Sequence, residues 1–140
     1  MGLAISDNCT SDANLVVTST DVSAGTCPIV VTRTYTITDA CGNQTTRIHT
    51  INISDNTPPA ITGTITSTNV TACNVSAAPA AVTTVAALEG MGLAISDNCT
   101  ADANLVVTST DVSAGTCPIV VTRTYTITDA CGNQTTRVHT

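Results

Sequence analysis

Apolar and polar positions alternate along Thr26–Asn43, "TCPIVVTRTYTITDACGN". In an extended chain Val30, Thr32, Thr34, Thr36 and Thr38 share one face, and Ile29, Val31, Arg33, Tyr35 and Ile37 share the other. A period of two in β-branched residues predicts a strand. Ala40–Asn43, "ACGN", predicts a turn in which Gly42 adopts positive φ. "QTTRIHTINIS" follows at hairpin distance as a second strand. Ala13–Thr20 reads as another strand, Ala60–Val70 as one with Ile61 and Ile65 on a single face, and Leu93–Ser96 as a short extended piece. One segment breaks the pattern: Ala77–Gly92, "AAPAAVTTVAALEGMG", is alanine-rich and does not alternate. With Thr83 or Thr84 as cap and Gly90 as terminator, it predicts one or two helical turns over roughly 84–89.

The whole pattern recurs. Residues 1–50 and 91–140 align without a gap at an offset of 90 and differ only at Ser11/Ala101 and Ile48/Val138. Such self-similarity marks a tandem array, and the two substitutions favour natural drift over an engineered duplication. Met1 is matched by Met91 inside "LEGMGLAIS", and Thr140 by Thr50, which runs on into "INISDNTPP". Asp55-Asn56-Thr57-Pro58-Pro59 reads as a junction stiffened by two prolines. The expected division is therefore residues 1–54 as the C-terminal part of one module lacking its first strand, 55–59 as a DNTPP linker, and 60–140 as the next module lacking the end of its last strand. About five to seven strands per module predict an all-β fold of immunoglobulin-like β-sandwich modules in tandem, each with one short helix.

Composition constrains the core and the partners. There is no Trp or Phe, and only Tyr35 and Tyr125, so the core must be aliphatic. Thirty residues are Thr, none is Lys, and the basic residues are Arg33, Arg47, Arg123 and Arg137. A net charge of −6 repels nucleic acid and anionic membranes. No apolar run approaches the roughly 18–20 residues that span a bilayer. Without lysine the chain cannot form Lys–Asn isopeptide cross-links, which leaves cysteine as its covalent reinforcement.

The seven cysteines are Cys9, Cys27, Cys41, Cys73, Cys99, Cys117 and Cys131, four to a full period. None forms a C-x-x-C pair, and His49 and His139 are one repeated position, so zinc-type spacing is absent. Four cysteines in a small module read as two disulfides formed in an oxidising compartment, each adding about 2–4 kcal/mol. Three connectivities are open to four cysteines. Cys9 in "SDNCT" and Cys41 in "TDACGN" both follow an Asp-X turn at the edge of an apolar run, which places them at one end of the module. The favoured bridges are Cys9–Cys41, its repeat Cys99–Cys131, and Cys73–Cys117. Cys27 is then unpaired within this segment, because the position ninety residues before Cys73 precedes residue 1.

The same loops carry Asp7, Asn8, Asp12, Asp39 and Asn43. Together with Asp55 at the junction they make Asp7, Asp12, Asp39 and Asp55 calcium candidates through hard oxygen ligands. EF-hand spacing is absent, and Asp and Asn are also ordinary turn residues, so the simpler reading needs no cofactor. His49 lies beside Arg47 with no Ser, Cys or carboxylate constellation, as a structural or exposed histidine. No nucleophile–base pair or phosphate loop is evident, and catalysis repeated in every module would be unusual; the chain is not expected to be an enzyme. The sequon Asn69-Val70-Thr71 is of a kind that arises by chance in a Thr-rich chain. A flat array such as Thr32, Thr34, Thr36 and Thr38 can bind ice or sugars, but more simply gives a soluble strand of high β propensity.

The strings "CPIVVTRTYTITDACGN", "DNTPP" and "VAALEG" resemble tandem HYR-like, immunoglobulin-like repeats of giant secreted surface adhesins of gliding Bacteroidota, of the SprB-like gliding-motility type. The resemblance covers the whole chain. It implies an extracellular, cell-surface location, export by type IX secretion, and a role as a structural repeat of a long filament or adhesin stalk serving adhesion or gliding. The alternative is a carbohydrate- or calcium-dependent binding module repeated for avidity. The expected partners are neighbouring repeats of the same chain, and surface glycans or other copies of the filament, with no nucleic acid and no membrane span in this segment.

Overall fold

The computed structural model describes residues 3–140. The chain falls into two compact units, one ending at Ser54 and one running from Asp55 to Thr140. It is mostly β, in three antiparallel sheets. No helix among the described residues is long and apolar enough to cross a membrane.

In the first unit a 3-10 turn, Asp12–Asn14, leads into β1 (Val16–Ala24), β2 (Ile29–Thr38) and β3 (Gln44–Ile53), paired in that order. The strand expected over Ala13–Thr20 starts later and runs further, because Asp12 and Asn14 take up turn geometry, as short polar side chains favour. In the second unit β4 (Ala60–Gly63), helix α1 (Val85–Gly90) and β5 (Leu93–Ser96) precede the second copy of the sheet, β6 (Val106–Ala114), β7 (Val120–Thr128) and β8 (Gln134–His139). The register repeats with the sequence: Val16 pairs Thr38 as Val106 pairs Thr128. Asp21 therefore faces Arg33 and Asp111 faces Arg123 across the strands. Each guanidinium forms a two-pronged bond, through Nε and Nη2 to the two carboxylate oxygens at 2.7–2.8 Å.

Helix α1 begins where Thr84 Oγ1 accepts the Ala87 N–H at 3.3 Å. Gly90 is its last residue, Met91 caps it, and Gly92 carries the positive φ of +105°. β4 ends at Gly63, short of the expected Val70. Gly63 has φ +84°, and a Cβ there would overlap the carbonyl oxygen of Gly92. The chain bends at this close approach and the β4–β5 pairing stops with Gly63 opposite Leu93.

The core lies in the second unit. Val85 and Leu88 of α1 and Leu93 and Ile95 of β5 pack with Leu105, Val107, Tyr125 and Ile127 of the three-stranded sheet. Ile61, Ile65, Ala81, Val82 and Met91 close the margins. Side-chain bonds hold this layer to the sheet, among them Arg137 Nη2 donating to the Ile61 carbonyl at 2.8 Å and Arg123 Nη1 to the Pro79 carbonyl at 2.9 Å. The face buried is the Arg–Tyr–Ile face that the alternation singled out. In the first unit the same residues are far more open: Val17 is 53% exposed against 7% for Val107, and Leu3 is 53% exposed against 5% for Leu93. Tyr125 is fully buried, while Tyr35 is only partly so.

Full burial of an aliphatic side chain contributes about 1.5–3 kcal/mol, whereas exposed positions change stability by about 0.5 kcal/mol or less. Val107→Ala should therefore lower the stability of the second unit by about 1–3 kcal/mol. Val17→Ala, the same change in the same local sequence, should fall within about 0.5 kcal/mol. Urea unfolding of the two variants checks this.

Candidate metal centre

Two polar loops meet at one end of each three-stranded sheet. In the second unit Asp97 Oδ1 accepts the N–H groups of Cys99 at 3.0 Å and Thr100 at 2.7 Å, which folds "SDNCT" into a tight turn. Asp129 Oδ1 accepts the N–H groups of Cys131 and Asn133, both at 2.8 Å, and its Oδ2 accepts Asn133 Nδ2 at 2.7 Å. The buried Thr100 joins the loops, since its Oγ1 accepts the Ala130 N–H at 3.2 Å. The first unit repeats the arrangement with Asp7, Thr10, Asp39 and Ala40.

Asp55 completes the cluster in the second unit. Its Oδ1 accepts the Thr57 N–H at 3.0 Å and Asn98 Nδ2 at 3.3 Å, and its carbonyl accepts Asn133 Nδ2 at 3.2 Å. Carboxylate oxygens of Asp55, Asp97 and Asp129 lie within 4.8 Å of one another. Asp129 is 5% exposed. Oδ2 of Asp55 and Oδ2 of Asp97 are shielded from solvent and accept no hydrogen bond.

The field of the cluster reaches its neighbours. Burial pushes the Cys99 thiol up, and Asp55, Asp97 and Asp129 add to the rise, Asp55 also through a side-chain hydrogen bond. At Asp129 burial acts upward, but the Asn133 side chain and the N–H groups of Asn133, Cys131 and Gly132 outweigh it and hold the carboxyl below its ordinary value.

Of the four calcium candidates, only Asp55 is in this cluster. Asp7 and Asp39 stand at the matching loop positions of the first unit, and Asp12 opens the Asp12–Asn14 turn. Asp97 and Asp129 are the ninety-residue repeats of Asp7 and Asp39. The signal that finds them is the phase of the repeat: a module that begins at the DNTPP junction puts Asp55 with the second copy of the loops. His49 is half-buried with Nδ1 unpartnered, while His139 Nε2 lies 3.1 Å from the Thr66 carbonyl and ties the chain after β4 to β8.

The cysteines depart from the expected pairing. Cys9, Cys41, Cys73, Cys99 and Cys117 carry free, exposed thiols, so Cys9–Cys41, Cys99–Cys131 and Cys73–Cys117 are not formed; Cys27, expected to be unpaired, is disulfide-bonded, as is Cys131. Loop placement brings two cysteines to one end but does not orient their Cβ vectors. The sulfurs of Cys9 and Cys99 instead accept Nδ2 of Asn8 at 3.3 Å and of Asn98 at 3.0 Å. Cys73 stands in an irregular stretch before the Val75–Ala77 turn, where no strand pattern sets its direction.

No protein-family model, no curated protein and no solved structure matches the chain.

Thr100→Val removes the buried hydroxyl that joins the loops and its bond to the Ala130 N–H, which should lower the stability of the second unit by about 0.5–1.5 kcal/mol in urea unfolding. A pH dependence follows from Asp39, whose carboxyl is held below its ordinary value by the Asn43 side chain first, then by N–H groups of Asn43, Cys41 and Gly42. A depressed folded-state pKa stabilises the fold above the unfolded carboxylate value, about 3.9, and that contribution is lost as pH falls through the folded value. Wild type should therefore exceed Asp39→Asn in stability at neutral pH and converge with it as pH drops below about 3–4, as followed by circular dichroism.

Proposed function

We propose that this chain is a repeat segment of a long extracellular filament or adhesin stalk at a cell surface, serving adhesion or gliding motility. Each period is an immunoglobulin-like β-sandwich module, and the role is mechanical rather than catalytic. The single observation that carries this reading is the ninety-residue repeat with only two differences over fifty aligned positions. Near-identity over fifty residues of a ninety-residue period suits a device in which number and spacing matter more than individual chemistry. The identical registers of β1–β2 and β6–β7 support it, as do the negative charge and the absence of lysine. The disulfide state of Cys27 and Cys131 is compatible with an oxidising, extracellular setting. The resemblance to secreted adhesin repeats, with their type IX export, supports the location.

The alternative is a binding module for carbohydrate, repeated for avidity. A cavity of about 420 Å³ in the second unit favours it, with Asn69, Arg123, Tyr125 and His139 among its lining residues.

Arrays of two, four and eight full periods, imaged by rotary-shadowed electron microscopy, separate the readings. A stalk should lengthen by a constant increment per period, on the order of 30–45 Å if strands of about ten residues run along its axis. Compact particles whose length does not grow with period number, together with glycan-array binding by the two-period chain, would favour the alternative.

A further inference from the structure

We propose that the open face of the first sheet is a docking site for a second copy of the covering segment, residues 58–92. The segment is held by adding its β4 stretch as a strand beside residues 3–6. One sequence occurs here in two settings. In the second unit β4 pairs antiparallel with β5, Ile61 opposite Ile95 and Gly63 opposite Leu93. Val85 and Leu88 of α1 then close the core over Val107 and Tyr125. Residues 3–6 repeat β5 ninety positions earlier, yet among the described residues they form no strand and pair with none. They lie beside Val17, Tyr35, Thr45 and Arg47, and the two sides border a groove of about 350 Å³. Its apolar lining is open: Ile5 is 39% exposed where Ile95 is 4%.

The groove carries the polar groups that this occupant needs. The unpaired backbone of residues 3–6 offers N–H and C=O groups to an extended chain, which adds a strand by main-chain bonds. Arg137 donates Nη2 to the Ile61 carbonyl at 2.8 Å, whereas its repeat Arg47 is exposed and turns Nη1 back to the Thr46 carbonyl at 2.9 Å. His139 Nε2 lies 3.1 Å from the Thr66 carbonyl, whereas its repeat His49 is half-buried with Nδ1 unpartnered. The first sheet therefore presents the apolar stripe, the strand edge and the side-chain donors that hold residues 58–92 in the second unit. An exchange of segments between two covered sheets gains nothing, since each sheet is covered before and after. The gain arises at a sheet without a cover, and it is the same whether the array is a stalk or a binding module.

The test adds a fluorescein-labelled peptide of residues 58–92 to the full 140-residue chain and follows fluorescence anisotropy. The peptide carries Cys73→Ser to prevent cross-linking through its thiol. One peptide should bind per chain and should raise amide protection at Tyr35 and Ile37 at least about 10-fold, leaving Tyr125 and Ile127 unchanged. Leu88→Asp in the peptide puts a charge at a fully buried position and should weaken binding at least about 10-fold. In the chain, Val17→Asp should do the same, and Arg47→Ala should weaken binding about 3-fold or more. Val22→Asp, on the opposite face of β1, should leave binding unchanged. Val17, Val22 and Arg47 are exposed, so the circular dichroism of all three variants should match wild type. No saturable binding to the folded chain would overturn the proposal, as would equal binding by a scrambled peptide. So would binding that Val17→Asp and Arg47→Ala leave intact, which would put the peptide in the second unit by exchange. Self-association of the chain through the open face, with no peptide uptake, would also overturn it.

Discussion

The second unit depends on the burial of one sheet face. Tyr125, Ile127 and Val107 present a narrow apolar stripe that a three-stranded sheet cannot hide by itself. The segment from β4 to β5 covers it, with Leu88 and Val85 of α1 at the centre. Other local features follow from bringing that layer close. Gly63 and Gly92 meet where no side chain fits, Thr84 starts a helix only six residues long, and Arg123 and Arg137 reach across to carbonyls of the covering chain. The near-identical sheet of the first unit shows the other condition: Leu3, Val17 and Ile48 are exposed, and Ile37 is its one buried large aliphatic among the described residues. Sequence sets the strands and their register in both copies; the covering layer decides whether a strand face becomes a core.

At the loop end, polarity is organised by a different principle. Each aspartate first closes its own turn by accepting backbone N–H groups, and Thr100 then fastens one turn to the other. These short-range bonds are made in both copies. The close approach of three carboxylates is a consequence of that tightness in the second unit, where Asp55 is held by Asn98 and Asn133. A repeat that keeps its turns keeps the carboxylates in position.

Much of the β structure was legible because it is written locally. Alternation located β2 and β3, the "ACGN" turn between them, and the face that carries Tyr and Ile. The alanine-rich interruption located α1 to within one residue at each end. What was illegible depends on contacts distant in sequence. Gly63 ends β4 because Gly92 passes beside it, and nothing in Ala60–Val70 announces that neighbour. The carboxylate cluster was legible only at Asp55: the loops of Asp7 and Asp39 belong to the first unit, and it is their repeats Asp97 and Asp129 that share a unit with Asp55. The thiols resisted most, since pairing depends on Cβ direction within loops and on competing partners such as Asn8 and Asn98.

The sharpest test compares one sheet in its two settings. Residue-resolved amide hydrogen exchange by NMR, anchored at Ser11/Ala101 and Ile48/Val138 to distinguish the copies, reads protection at Tyr35 and Ile37 against Tyr125 and Ile127 in the same molecule. Because the paired segments share sequence and register, any difference reports the covering layer. The account predicts protection at Tyr125 and Ile127 at least about 10-fold greater than at their first-copy counterparts, since stability differs locally with buried contact. Equal protection in the two copies would contradict it.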